Sequence, residues 1–231
     1  MNATIDTPSS TATSRPPMRA ATADALRDAW IEARHRLRGK GLFPDGASLS
    51  LRCPQGATLW FGDAHGSLPA RLDFAGAVAS TDDAPLHAAI YLARPDVGAV
   101  LLGGGGYGRA LADFGGTMPQ LFDEQARHIG PMGAPVDGTA SLSRTLRTGG
   151  NALIIGGRPA CLGITCERMV LNAELFEKCA KACVLALATG GGIQPLPWWV
   201  RLVANRRLMK DEKRAALRFS QGLMPEESRG Y

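Results

Sequence analysis

An α/β fold is what this sequence predicts, on three observations. There is an amphipathic helix near the start, a pair of short alternating segments joined by a turn, and a set of apolar strand-like runs interleaved with further helices. From Thr22 to about Arg38, Leu26, Trp30, Ala33 and Leu37 recur at helical spacing among Arg, Asp and Glu, and Gly39-Lys-Gly41 ends the run. Ala47 to Arg52 and Thr58 to Phe61 alternate around Pro54-Gln-Gly56, which predicts two strands and a turn. Ser80 to Asp83 offer helix caps before a helix over Pro85 to Ala93, stopped by Arg94-Pro95-Asp96. Val97 to Leu102 predicts a buried strand, and a helix from about Arg109 follows four glycines. After a less regular stretch to Gly138 come a short helix over Ser141 to Arg147, strands at Ala152 to Ile155 and Cys161 to Thr165, and a long helix over Asn172 to Thr189.

Composition bounds the function. With 231 residues, 45% hydrophobic, the chain can bury a substantial core, and no apolar run reaches the roughly 18 residues a spanning helix needs. Residues 1–20 are rich in Ser, Thr, Pro and Ala and read as a disordered leader without the apolar stretch of a secretory signal, so a cytoplasmic location is expected. The net charge of +5 is local: residues 201–218 carry seven cations against two acids, a surplus equal to that of the whole chain. That pattern marks a basic C-terminal extension, residues 195–231 with Trp198 and Trp199, and argues against a nucleic-acid-binding body. Five cysteines, an odd number, predict reduced thiols. Cys161, Cys166, Cys179 and Cys183 could be drawn as a zinc site, but buried thiols are the plainer reading.

Gly103-x-Gly105-x-x-Gly108 has the spacing of a dinucleotide fingerprint and stands between a strand and a helix. A dinucleotide-binding oxidoreductase is therefore one reading. Against it, the chain opens with a helix and strands that look antiparallel, whereas a doubly wound fold needs repeated parallel units.

Residues 80–112, STDDAPLHAAIYLARPDVGAVLLGGGGYGRALA, resemble the central segment of the class II aldolase and adducin family, which reads approximately Ser-Ser-Glu-x-Pro-Leu-His, then Arg-Pro-Asp-Val and His-x-His. Asp45 to Arg52 and Asn151 to Pro159 resemble two further segments of that family. The resemblance extends from about residue 22 to 192 and implies a single domain over residues 21–194, with a central mixed, largely antiparallel sheet flanked by helices. It also implies a homo-oligomer, such as a tetramer, in which Trp198 and Trp199 are covered; membrane contact of that segment is the less favoured alternative.

The resemblance places the family's metal-ligand histidines at Leu102, Gly104 and Arg158. None of these side chains can bind zinc, so no metal and no cofactor are expected. The family's catalytic glutamate falls on Asp83, and its phosphate contacts fall on Ser48, Thr81 and Asp82. Arg158 either receives a small anionic ligand or pairs internally with Asp83 or Asp82. The backbone around Gly104 and Tyr107 either offers N–H groups to an anion or has collapsed. His35, His65, His87 and His128 share no spacing that would rebuild a metal site. The expected function is a metal-free, non-catalytic relative that binds a small acid or sugar derivative, or acts in assembly. The competing expectation is a lyase, epimerase or decarboxylase using Asp83 and Arg158.

Overall fold

A computed structural model describes residues 18–78, 82–147 and 149–227. Nearly all of the expected leader, and Thr81, lie outside the described residues. The chain forms a six-stranded sheet in the order β3-β2-β1-β4-β6-β5, from β1 (Ser48–Arg52), β2 (Thr58–Asp63), β3 (Ala70–Asp73), β4 (Ala99–Leu102), β5 (Ala152–Ile155) and β6 (Arg158–Gly163). Every neighbouring pair is antiparallel, and an isolated parallel bridge joins Val136 to Ile155. The dinucleotide reading is thereby overturned, because among the described residues no strand–helix–strand unit places two parallel strands side by side.

Period-two alternation gives the sheet two buried faces. Leu49, Leu51, Leu101, Ile154 and Cys161 point to one, where α1 (Met18–Gly39) and α7 (Cys166–Ala188) cover them. Phe61, Val100, Leu102, Leu153 and Leu162 point to the other, with α2 (Phe74–Val78), α3 (Ala84–Ala93) and α6 (Thr139–Leu146). Trp30 anchors the first layer: fully buried, it donates its indole N–H to the Leu49 carbonyl at 2.8 Å. The five cysteines are free thiols, and among the described residues no three His, Cys, Asp or Glu side chains gather as metal ligands.

Several boundaries differ from expectation. The helix after the glycines, α4 (Gly106–Ala110), starts inside the glycine run, not at Arg109. The last strand begins at Arg158, because the Gly156-Gly157 turn, both residues at positive φ, folds β6 straight back on β5. β3, α2 and α5 (Asp123–His128) were not expected; each is six residues or fewer, too short for a periodic pattern.

The basic extension folds as α8 (Trp198–Ser220), which buries Leu208, Glu212, Ala215 and Phe219 on the body. Glu212 reaches a buried guanidinium. Arg94 binds Asp96 through two hydrogen bonds of 2.8 and 2.6 Å and donates to the Gly150 carbonyl and to Asn151, and its Nη2 lies 3.0 Å from Glu212. The Glu212 contact is one of charge without an aligned hydrogen bond. Burial, aided by the nearby Asp96 charge and opposed by Arg94, pushes the Glu212 carboxyl up to about 7. Trp198 and Trp199 are 68% and 59% exposed in the single chain, and among the described residues no helix is long and apolar enough to cross a membrane.

A carboxyl raised above its unfolded value binds protons in the fold that the unfolded chain has released, so its stabilising contribution falls as pH rises. The wild type should therefore lose stability relative to Glu212→Gln between about pH 4.3, the unfolded value, and about 7, with the difference constant above that window. Thermal melts of both proteins across that range check the sign. Arg94→Met should cost about 3–5 kcal/mol in denaturant unfolding, because it leaves buried acids uncompensated.

Candidate functional site

β1, β4 and β6 lie side by side, so Ser48 stands opposite Leu102 and Leu102 opposite Ala160. This register brings Arg158, at the start of β6, beside Asp83, at the N-terminal boundary of α3, across 75 residues of sequence. The two form a bidentate pair of 2.8 and 2.7 Å, and the guanidinium also donates to the Gly46 carbonyl at 3.0 Å. The side chains remain 38% and 23% exposed, so the pair sits in a half-open position at the start of β6, an interior strand. Burial by itself would raise the Asp83 carboxyl, but hydrogen bonds from Arg158 and Ser48, with the charge of Arg158, hold it below the ordinary carboxylate value. The same pairing raises Arg158. The neighbouring Asp82 does not replace Asp83 in this pair; its Oδ1 accepts the Ala84 N–H at 2.7 Å.

Behind Asp83 runs a polar chain between β1 and α3. Ser48 Oγ lies 2.9 Å from both Asp83 Oδ2 and His87 Nε2, Ser50 Oγ lies 2.7 Å from His87 Nδ1, and the Tyr91 hydroxyl lies 2.8 Å from Ser50 Oγ. An ionised carboxylate only accepts, so Ser48 donates to Asp83 and must accept from His87 Nε2–H. The neutral ring then has a bare Nδ1, which accepts from Ser50, and Ser50 in turn accepts from Tyr91. His87 is fully buried, and that burial holds it at about 4, so it stays neutral. The chain ends at Tyr91, whose hydroxyl also donates to the Ser50 carbonyl at 3.0 Å, an oxygen with no proton to pass on. It therefore orients Asp83 and offers no exit for a proton. Ser48 is itself buried, and its hydroxyl is engaged inside the protein, not presented to a ligand.

The glycine run has a different occupant from the one its spacing advertises. Tyr107 N–H and Gly108 N–H each donate at 2.8 Å to the two oxygens of Glu177, which reaches in from α7. A Cβ on Gly105 would lie 2.4 Å from that carboxylate, so glycine makes its seat. The anion expected at Tyr107 is thus an internal one, while the Tyr107 ring faces the Lys181 ammonium at 5.4 Å. Gly104 has φ +111°, a conformation L side chains rarely adopt, and the Pro159 ring stands 2.9 Å from where its Cβ would be.

The metal that such a fold implies does not fit these residues. Leu102 is aliphatic and fully buried, Gly104 has neither a side chain nor room for one, and Arg158 is already paired. The position sequence reasoning missed is Glu177. Its only sequence signal is that it is one of three glutamates on an amphipathic helix, which names no partner.

No family model and no curated protein matches the sequence. Solved structures do match. YgbL from Klebsiella pneumoniae is 20% identical with a TM-score of 0.65, covering 79% of this chain and 99% of that one. An L-fuculose 1-phosphate aldolase from Glaciozyma antarctica is 18% identical with a TM-score of 0.67, covering 92% and 97%. An aldolase II superfamily protein from Pseudomonas syringae is 15% identical with a TM-score of 0.63, covering 89% and 93%. The fold is class II aldolase-like, as the motifs around Pro85 and Arg94 imply.

Placing a methyl group on Gly105 displaces the Glu177 carboxylate from two charge-assisted hydrogen bonds. Gly105→Ala should destabilise the protein by about 2–4 kcal/mol in chemical denaturation, whereas Gly106→Ala, with nothing within 4 Å of its Cβ, should be close to neutral.

Proposed function

We propose that this protein keeps the class II aldolase-like scaffold without its metal chemistry, and acts as a non-catalytic binder of a small acid or sugar derivative or in assembly. One observation carries the reading: the bidentate Arg158–Asp83 pair fills the place where the resemblance puts a metal and its catalytic carboxylate. A guanidinium cannot polarise a carbonyl as a divalent ion does, and a carboxylate held low by it is a weak base. The exposed part of the Arg158 fork is what a small anionic ligand would meet. The uncovered Trp198 is the surface a second copy would cover.

The competing lyase, epimerase or decarboxylase reading draws on the aldolase activity named for a structural neighbour and on the accessibility of the pair. It requires Asp83 to leave Arg158 during turnover.

Three measurements check the proposal. Mass-spectrometric metal analysis of the purified protein should find no stoichiometric divalent ion, and zinc should not raise its melting temperature. L-Fuculose 1-phosphate should not be cleaved above background; metal-dependent cleavage that Asp83→Asn abolishes would establish the enzyme reading instead. Arg158→Met should cost about 1–2 kcal/mol, between the values for exposed and buried pairs, since the site is half open.

A further inference from the structure

α5, α7 and α8 meet around a cavity of about 440 Å³ that shares no lining residue with the Arg158–Asp83 pair. Its size falls within the roughly 300–1,000 Å³ of small-ligand pockets. Leu171, Trp199, Val200 and Val203 supply apolar wall, and three of these are exposed large side chains gathered at one place. The polar lining is ordered by its own bonds. Arg168 contacts His128 Nδ1, and because a guanidinium can only donate, Nδ1 accepts and the neutral ring carries its proton on Nε2. Burial, with the charges of Arg168 and Arg127, holds His128 at about 4, so at neutral pH it is an uncharged donor. Arg127 pairs with Asp211 at 2.7 Å and Arg168 with Glu227 at 2.6 Å, whereas Arg207 has no ion pair among the described residues. Of the two lining acids, Glu124 lies 3.6 Å from Lys178 and Asp123 accepts the Glu124 N–H.

The geometry points to this cavity as a second binding site, for a small carboxylic acid with an apolar or aromatic body. The carboxylate meets Arg207, with His128 Nε2–H as a neutral donor in the same lining, and the body lies against Leu171, Trp199 and Val203. Three arginines disfavour a cation, and Asp123 and Glu124 disfavour a dianion such as phosphate. A monoanion satisfies both limits, and the apolar wall selects one that carries hydrocarbon.

Calorimetric titration of the full chain at pH 7 with 4-phenylbutyrate, and with 4-phenylbutan-1-ol as its uncharged analogue, tests this. The acid should bind saturably with one site per chain, and the alcohol at least about tenfold more weakly. Arg207→Met should weaken the acid by about tenfold and leave the alcohol unchanged, Ala204→Phe should block both by filling the cavity, and Arg158→Met should alter neither. Circular dichroism confirms that each variant is folded. No saturable heat up to about 5 mM acid, equal binding of acid and alcohol, or loss of binding with Arg158→Met in place of Arg207→Met would overturn the assignment. Exclusion of both compounds because a second copy covers the cavity, seen as binding only to dissociated protein, overturns it equally.

Discussion

The guanidinium of Arg158 fixes the charge state of Asp83, and that single constraint sets the direction of every hydrogen bond behind it. With Asp83 ionised, Ser48 has one possible donation, His87 one possible tautomer, and Ser50 and Tyr91 follow in order. The seam between β1 and α3 is almost fully removed from water, where a donor or acceptor without a partner costs about 1–3 kcal/mol. Register matters for the same reason. Ser48 and Ser50 alternate with Leu49 and Leu51, so a slip of one residue would exchange the polar seam for core leucines and strand His87.

A second internal charge plays a comparable part on the other side of β4. Glu177 accepts from the amides of Tyr107 and Gly108, and so joins α7 to α4, the short helix that follows β4. The two features have a common logic. Where the resemblance implies a bound ion and an anionic ligand, Arg158 lies against Asp83 and Glu177 against the amides of Tyr107 and Gly108.

Much of this was legible in the sequence. The apolar run ending at Leu102 and the helix after Pro85 are strongly patterned, and the resemblance there, with that of Asn151 to Pro159, was enough to bring Arg158 and Asp83 together. The glycine run was legible as a constraint but not as an occupant, since a carboxylate 70 residues away leaves no local trace. Ser50, His87 and Tyr91 were equally silent, reading singly as a small strand residue, a lone histidine and a helical tyrosine. Their role exists only after β1 and α3 are packed. The short elements β3, α2 and α5 carry too few residues for periodicity to accumulate. The basic extension was visible as charge, but the inward turn of Glu212 was not, because net charge does not say which acid is buried.

That inward turn also governs how the protein comes apart. Arg94 lies in the loop before β4, the strand at the middle of the sheet, and Glu212 lies on the last helix of the chain. Phe219 of the same helix stacks beneath the Arg52 guanidinium at the end of β1. Peeling α8 away would uncover Phe219 and bring solvent to the Arg94–Asp96 pair, next to the central strand. The extension is therefore tied to the body by a buried charge and a buried ring, so its release exposes groups beside the central strands and is not simple fraying of an end.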